Sequence, residues 1–370
     1  MRVCFPALVR TSLVLVSTAF VPVQSSLAQT PPAPANPAVQ NNCQRNLRTG
    51  LQFYNAGRFE TAQPFFERAV KECNSSAESL YFLARNQMRL GLMTAAIENL
   101  RRSIAQNATF INSYIALAQA YTDSFRFAEN REAAKGNLDQ ALNVLRDAER
   151  VNSKYAPIYS WRAVVLGLQG QYDRAIEAAN RAIALDDDPA LRSTLASLYV
   201  AEGKPDEALK IYNDAVNKYP KDSDLRIKYG TFLLARKDCT AALAHLNQAA
   251  ILAPGNAEVY VYQGQALECL KSWKPAGAAY ENAVALSPVR YPEAYAGLGR
   301  VYLELGDAQK ARFNLTKAVA LEPQNASFRY WLGKANEVLG DKAGAKAQCQ
   351  KALELQNDFK EAQECVARNQ

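Results

Sequence analysis

Histidine is nearly absent from this chain, since His245 is the only one among 370 residues. The sequence also contains no HExxH segment, no glycine-rich phosphate loop and no nucleophile elbow. A single histidine disfavours a Ser-His or Cys-His catalytic centre, although a pair of carboxylates remains open as a catalytic group. The sequence therefore predicts a protein that is not an enzyme and that holds no cofactor.

The chain also lacks a strong charge imbalance and lacks the usual spacing of metal ligands. Its 43 basic and 36 acidic residues give a formal net charge of +7, which is small for this length. Such a balance favours a mixed solvated surface over a nucleic-acid-binding surface. No two cysteines have CxxC spacing, and we place His245 on the outward side of a helix, so no metal site is predicted.

No apolar run is long enough to span a bilayer comfortably, because Leu13–Val23 is short and is interrupted by Pro22. Two arginines precede this run and small residues follow it, which is typical of a secretory signal over 1–28. A cleaved signal is favoured over an uncleaved anchor, so the protein is expected to be exported, periplasmic or extracellular, with no stable membrane span. Residues 29–42 are rich in Pro, Ala and Gln and are predicted to form an extended linker.

What the chain has in abundance is alanine at a fixed interval. Nine alanines recur 33 to 35 residues apart, with one gap of 45 that contains an insertion. They are Ala62, Ala96, Ala141, Ala175, Ala208, Ala242, Ala276, Ala311 and Ala345. Small residues also stand seven places after and twelve places before each alanine, including Gly50, Gly230, Gly264, Gly299 and Gly333. A period of this length predicts a stack of supersecondary units.

Each copy has the pattern of two helices joined by a tight turn. In 258–286, apolar residues follow helical spacing on both sides of the polar break Lys271-Ser272, and Pro288 ends the second run. Alanine and glycine at the repeated places allow the two helices to approach closely, where larger side chains would hold them apart. The unit is therefore predicted to be a helical hairpin.

The unit resembles the tetratricopeptide repeat, in its small residues, in the aromatic before the turn and in the closing proline. The aromatics are Phe53, Tyr121, Tyr199 and Tyr302, and the prolines are Pro220, Pro254, Pro288 and Pro323. The resemblance implies an all-α superhelical solenoid of nine hairpins followed by a cap helix over 359–370. The predicted copies are 43–76, 77–110, 111–155, 156–188, 189–222, 223–256, 257–291, 292–325 and 326–358.

The repeat frame also selects a pairing for the six cysteines that follow the signal. Antiparallel helices bring Cys43 near Cys73, and stacked neighbours bring Cys239 near Cys269. Cys349 in the last repeat faces Cys365 in the cap helix. Three disulfide bonds in an exported protein are the prediction, and buried free thiols are the alternative.

The resemblance further implies that the first helix of each copy lines a concave groove that binds a peptide or a helix. In frame, the inward places hold aromatic residues beside polar and cationic ones, which suits a partner with apolar anchors and some acid. The groove candidates are Tyr81, Phe82, Arg85, Trp161, Tyr262, Gln265, Arg300, Tyr330, Trp331 and Lys334. For each aromatic, packing between repeats is the alternative to ligand contact, and Trp161 and Trp331 are favoured as contacts.

The insertion in the third copy, near 122–135, is the place where the array stops repeating. Either both helices lengthen there or a loop protrudes, and that loop is either a tolerated surface feature or a partner-specific contact. Two functions remain open for the whole chain. The first is an exported scaffold for protein–protein interaction in the cell envelope, and the second is a component of envelope polysaccharide export or glycan handling.

Overall fold

The structure is a computed structural model, and it describes residues 37–370. In this part of the chain every regular element is an α-helix. The helices are α1 (Pro37–Asn55), α2 (Phe59–Glu72), α3 (Ala77–Arg89), α4 (Met93–Gln106), α5 (Ile111–Arg126), α6 (Gly136–Val151), α7 (Ala156–Leu168), α8 (Tyr172–Leu185), α9 (Pro189–Ala201), α10 (Pro205–Lys218), α11 (Ser223–Ala235), α12 (Cys239–Leu252), α13 (Ala257–Cys269), α14 (Trp273–Leu286), α15 (Pro292–Glu304), α16 (Ala308–Leu321), α17 (Ala326–Val338), α18 (Lys342–Leu355) and α19 (Lys360–Arg368).

Two predictions at the amino terminus are affected by these bounds. The predicted signal over 1–28 lies outside the described residues, as does the linker up to residue 36. The helix α1 begins at Pro37, so the last six residues assigned to the linker are helical. A proline is compatible with the first turn of a helix, because its missing N–H has no intrahelical partner there.

The chain divides into two compact units, one ending at Ile211 and the other beginning at Tyr212. Within each unit, helices pack as hairpins in chain order, and each hairpin contacts the next one. The second unit ends with α19, which packs on α18 and α17. The predicted all-α solenoid of helix-turn-helix hairpins, with a cap helix at the end, is confirmed.

In most hairpin turns, one residue adopts a left-handed backbone conformation where the chain reverses. Glycine occupies this place at six turns, with φ values from 72° to 86°. Lysine occupies it in two neighbouring hairpins, at Lys237 and Lys271, with φ values of 63° and 57°. Some helix starts are fixed by side-chain caps, as at α12, where the Asp238 carboxylate accepts a hydrogen bond from the Ala241 N–H, whereas others, such as α14, have no side-chain cap.

The insertion in the third hairpin is divided between its helices and its turn. The helices α5 and α6 have 16 residues each, whereas the corresponding helices of the next hairpin have 13 and 14. The remaining residues 127–135 connect α5 to α6, and Phe127 in this connection is 81% exposed. Helix extension and a longer connection therefore occur together, and each helix gains less than one turn.

The repeated small residues permit close contact inside each hairpin. A Cβ atom added to Gly50 would lie 2.7 Å from the Phe66 ring, and one added to Gly230 would lie 2.7 Å from Leu246 Cγ. Both partners are fully buried, as are the nine alanines of the repeat. The small residues are therefore required by the distance between the paired helices.

The stacking of hairpins gives each unit an inner and an outer side. In both units, successive odd-numbered helices contact one another across the hairpin between them, as α11 contacts α13 and α13 contacts α15. Among the described helices, no such contact joins successive even-numbered helices from α2 to α8 or from α12 to α18. Each stack is therefore curved, with its first helices on the inner side.

Three disulfide bonds join the predicted cysteine pairs. The Cα atoms are 5.3 Å apart in Cys43–Cys73, 6.1 Å apart in Cys239–Cys269 and 6.1 Å apart in Cys349–Cys365. These separations are usual for disulfides. The first bond closes the first hairpin, the second joins two stacked hairpins, and the third fixes α19 to α18.

Candidate functional site

The candidate site is the solvent-facing side of the odd-numbered helices, which we call the inner surface of each unit. In the first unit it is formed by α3, α5 and α7, and in the second by α11, α13, α15 and α17. All ten groove candidates lie on these helices. Their contacts decide which of them can meet a partner.

In the first unit, the aromatic candidates of α3 pack into the core. Tyr81 is only 6% exposed, and its ring lies 5.1 Å from Phe82 and 5.5 Å from Phe110. Phe82 is half-buried and stacks on Phe66 at 6.2 Å. These two rings join one hairpin to the next, so packing, which was the alternative interpretation, describes Tyr81 better than ligand contact does.

Arg85 and Trp161 are half-buried on the same inner surface. The Arg85 guanidinium lies 6.0 Å from the centre of the Tyr81 ring, and the pKa of Arg85 is raised by Tyr81 and Tyr54 although burial opposes the charge. Trp161 packs against the largest buried cluster of the first unit and keeps part of its ring exposed. Trp161 therefore remains a contact candidate.

The sequence reasoning missed an ion pair at the carboxyl end of α5. Arg126 Nη1 lies 3.6 Å from Asp123 Oδ1, and the two side chains are 18% and 13% exposed. Burial raises the pKa of Asp123 and lowers that of Arg126, so the pair is poorly solvated. Only the three-residue spacing of the two charges indicates this pair in the sequence.

In the second unit, the Arg300 guanidinium forms a two-point ion pair with one carboxylate. Its Nε donates a hydrogen bond to Glu268 Oε1 at 2.9 Å, and its Nη2 donates to Glu268 Oε2 at 2.8 Å. The Tyr280 hydroxyl donates to the same carboxylate. Burial alone would lower the pKa of Arg300, but Glu268 outweighs it and raises this pKa. Arg300 therefore ties three helices together and is not free to bind an acidic partner.

The other cationic candidate of this unit is also neutralised. Lys334 Nζ lies 3.0 Å from Glu337 Oε2, and Arg368 of α19 donates to Glu337 Oε1 at 2.8 Å. Hydrogen bonds from Arg368 and Lys334 hold the pKa of Glu337 at about 2. The positive charge of Lys334 is thus paired with Glu337, which lies one turn further along α17.

Tyr330 and Trp331 lie at the end of the second unit's inner surface. The Tyr330 ring lies 5.1 Å from Phe359 and 5.3 Å from Trp331, so it packs against the start of the cap helix. Trp331 is half-buried beside the α15–α17 core. Tyr330 and Trp331 therefore pack against neighbouring residues and are still partly exposed to solvent.

Carboxylates, which the sequence reasoning did not select, recur on this inner surface at the second place of three consecutive copies. They are Asp224, Glu258 and Glu293, on α11, α13 and α15. Burial and, next, the charge of Asp224 raise the pKa of Glu258, although Arg290 and Lys228 oppose this. Burial also raises the pKa of Glu293. In the described part of the chain, none of the three carboxylates forms an ion pair within 4 Å.

Tyr262 and Gln265 lie on α13 beside these carboxylates and are both half-buried. Burial, followed by the charges of Glu258 and Glu293, raises the pKa of Tyr262 to about 12. The phenol is therefore neutral at physiological pH and can donate or accept a hydrogen bond. The middle of this surface thus presents an aromatic ring, an amide and several acids.

Neither metal ligation nor a membrane span is seen in residues 37–370. No group of three or more His, Cys, Asp or Glu side chains in this range is arranged to hold a metal ion. None of the helices in the same range is long and apolar enough to cross a bilayer. His245 is half-buried rather than outward-facing, with its ring 4.3 Å from that of Tyr229, and burial lowers its pKa.

Comparison with known proteins places the repeat in a family. One family model, described as a tetratricopeptide repeat, matches residues 47–109, 130–190 and 296–362. A second model with the same description matches residues 199–266. The first model alone covers more than half of the chain.

Individual relatives share the repeat over part of their length. The TPR repeat-containing protein YpiA of Bacillus subtilis is 22% identical over 203 residues, which are 48% of this chain and 48% of the relative. The ancillary SecYEG translocon subunit of Neisseria gonorrhoeae is 28% identical over 141 residues, which are 38% of this chain and 63% of the relative. The chain thus spans less than two thirds of the length of either relative.

A solved structure shows the same repeat at higher identity. The thermophilic TPR protein TTC0263 of Thermus thermophilus is 46% identical, covers 52% of this chain and 99% of its own, and has a TM-score of 0.48. Repeats of this kind form scaffolds for protein–protein interaction. On its family-model matches, its small-residue frame and its stacked hairpins, this chain belongs to the tetratricopeptide repeat family.

Proposed function

We propose that this chain is an exported, non-catalytic scaffold that binds a polypeptide segment of another envelope protein on the inner surface of its second unit. The observation that carries the proposal is the recurrence of carboxylates at the second place of α11, α13 and α15, with the half-buried Tyr262 on the middle helix. Because those helices contact one another in order, the side chains follow the stack. A continuous surface of this kind suits an extended segment or a helix.

Export is supported by one feature of the sequence, one of the fold and one relative. Residues 1–28 have the pattern of a secretory signal. All six later cysteines are paired, which is usual for proteins that fold in an oxidising compartment. A relative whose name is ancillary SecYEG translocon subunit supports a place in the envelope near protein export.

The charges of the second unit favour a basic partner segment over the acidic one expected from sequence. Arg300 and Lys334, the predicted cationic contacts, are neutralised by Glu268 and Glu337. The carboxylates of Asp224 and Glu293 are exposed, and that of Glu258 is half-buried without an ion-pair partner. Lys228 and Arg290 lie close enough to Glu258 to offset part of this charge. A lysine or arginine from a partner would relieve the remaining repulsion.

A series of labelled peptides tests this proposal. Helices in contact lie about 8–10 Å apart, and a polyproline II chain rises about 3.1 Å per residue with every third side chain on the same face. A lysine at about every third residue therefore matches the spacing of the carboxylates. Fluorescence anisotropy would compare this peptide with glutamine and glutamate versions. We expect the lysine peptide to bind at least about tenfold more tightly than the glutamine peptide, and to weaken in high salt.

A matched pair of triple variants shows whether the binding is local. Replacing Asp224→Asn, Glu258→Gln and Glu293→Gln should abolish the preference for lysine. The control makes the same charge change on exposed acids of second helices, and it should bind like the wild type. Its changes are Glu60→Gln, Glu98→Gln and Glu177→Gln.

The results also separate the competing functions. Equal binding of the glutamate peptide would contradict the basic partner while leaving a polypeptide scaffold in place. Binding of a neutral polysaccharide, unaffected by salt, with no binding of any peptide would instead favour the glycan alternative.

A further inference from the structure

The three disulfides differ in how accessible they are to a reagent. Cys349 and Cys365 are both 0% exposed, and a Cβ atom added to Gly333 would press on the Cys349 sulfur. Cys43 and Cys73 are both half-buried. Only the bond between Cys239 and Cys269 includes an exposed residue, namely Cys269, whereas Cys239 is 5% exposed.

The same bond has the most favourable placement of a leaving thiolate. Cys239 is the first residue of α12, where the helix dipole and unpaired N–H groups stabilise negative charge. Cys269 is the last residue of α13 and Cys73 is the C-cap of α2, and helix carboxyl ends disfavour a thiolate. Cys349 lies inside α18, away from either end.

Charged side chains close in the chain to this bond also favour a thiolate, with the exception of Asp238. Lys237 and Lys271 each lie two residues along the chain from one of the two cysteines. The carbonyl oxygen of Lys237, 3.5 Å from Cys239 Sγ, opposes a thiolate there. Asp238 also opposes it, but its carboxylate already accepts a hydrogen bond from the Ala241 N–H. The two lysines add positive charge near both cysteines in the chain, and the amino end of α12 stabilises the departing thiolate.

We propose that Cys239–Cys269 is a thiol–disulfide exchange site for a dithiol reductant, with Cys269 as the attacked residue and Cys239 as the leaving group. One thiolate of the reductant bonds to Cys269 Sγ, the disulfide breaks, and its electron pair leaves on Cys239 Sγ. The second thiolate then attacks the reductant's own sulfur in the mixed disulfide and releases Cys269. Two electrons have passed to the cysteines, the reductant is oxidised to a disulfide, and solvent protonates the thiolates.

This exchange would loosen a particular joint of the second unit. The bond links α12 to α13, the two helices through which one hairpin stacks on the next. The buried cluster that spans this joint is small and consists of Ile227, Ala249 and Val259, with Ala250 and Tyr262 packed beside it. Reduction would leave this joint to the packing of α12 on α13 alone, next to Glu258 on the inner surface. The inference concerns the stack itself and does not depend on which partner the inner surface binds.

Stepwise reduction of the oxidised full-length mature chain tests the proposal. Limiting dithiothreitol is added under native conditions, free thiols are trapped with iodoacetamide, and the cysteine peptides are mapped by mass spectrometry. We expect Cys239–Cys269 to open at least about tenfold faster than the other two bonds. Equal opening of all three bonds, or earlier opening of Cys43–Cys73, would overturn the proposal.

A monothiol and one variant test the assigned roles. Incubation with reduced glutathione should leave the glutathione adduct on Cys269, and an adduct mainly on Cys239 would contradict the assignment. Lys237→Glu reverses a charge beside the leaving sulfur and should slow opening of this bond several-fold, with no effect on Cys43–Cys73. Hydrogen–deuterium exchange after selective reduction should increase in α12 and α13 and remain unchanged in α18 and α19.

Discussion

The Tyr280 ring lies directly against Gly264, because a Cβ atom added to the glycine would fall 2.6 Å from the tyrosine Cε1. Tyr280 is fully buried, and the same ring also crowds Gly297 of the next hairpin. The phenol hydroxyl then donates a hydrogen bond to Glu268. One side chain therefore sets both the distance inside a hairpin and the distance to its neighbour.

Replacing Gly264 with alanine should destabilise the second unit. The added methyl group would meet the Tyr280 ring, which is enclosed on all sides and cannot move away, so we expect a loss of about 1–3 kcal/mol in unfolding free energy. Gly277→Ala is the matched control, because the nearest atom to its added Cβ is 3.4 Å away. A helical glycine with space around it should gain about 0.5–1 kcal/mol when replaced by alanine. Equal effects of the two changes in urea denaturation would contradict this account.

Removing the charge of Glu268 should be more damaging than removing an exposed acid. Glu268 and Arg300 are 15% and 26% exposed, and Glu268→Gln would leave the guanidinium without its anion. We expect a loss of about 3 kcal/mol. The control is Glu281→Gln on α14, whose exposed carboxylate accepts one hydrogen bond from the Tyr302 hydroxyl and should cost less than about 1 kcal/mol. Chemical denaturation of both variants provides the comparison, and a loss below about 1 kcal/mol for Glu268→Gln would show that the pair is not structural.

Glycine at the two lysine turns should stabilise the protein. Lys237 and Lys271 adopt left-handed backbone angles, which cost a non-glycine residue about 1–2 kcal/mol. Glycine removes that cost but loses about 0.5–1 kcal/mol through its more flexible unfolded chain. We therefore expect each of Lys237→Gly and Lys271→Gly to raise the unfolding free energy by about 0.5–1 kcal/mol. The reverse change at a glycine turn, Gly306→Lys, should lower it, and a drop in both lysine variants would contradict the backbone argument.

Acid should weaken the packing of the cap helix on α17 through Glu337. Its pKa is about 2 in the folded state against an ordinary value of 4.5, so its contribution is complete above pH 4.5 and is lost as the pH falls towards 2. After allowance for the exposure of Arg368, we expect the contribution to be about 1 kcal/mol. The difference in melting temperature between wild type and Glu337→Gln should be largest at pH 7 and should shrink towards pH 2. A difference independent of pH would mean that the carboxylate is not paired in solution.

The fold could be predicted from the sequence because its determinants repeat. Alanine and glycine at fixed places indicate that the paired helices lie close together. The position of Cys239 and Cys269 in their repeats is enough to predict that they are neighbours. The pairing of Glu268 with Arg300 could not be predicted, because the two residues belong to different copies and share no repeated pattern. For Tyr81 the sequence left packing and ligand contact both open, since Phe110, which covers it, lies in the connection between α4 and α5. The pairing of charged side chains thus depends on contacts between copies, which the repeated sequence pattern does not indicate.

Site-specific photocrosslinking in living cells tests most directly whether the inner surface binds a polypeptide. A photoreactive residue would replace Gln265, which is half-buried on the inner helix α13, and in a second strain Lys274, which is exposed on the outer helix α14. After fractionation, Gln265 should yield a discrete crosslinked polypeptide in the envelope fraction, and this product should be lost when Asp224, Glu258 and Glu293 are neutralised. A crosslink of equal strength from Lys274, or none from Gln265, would contradict binding on the inner surface.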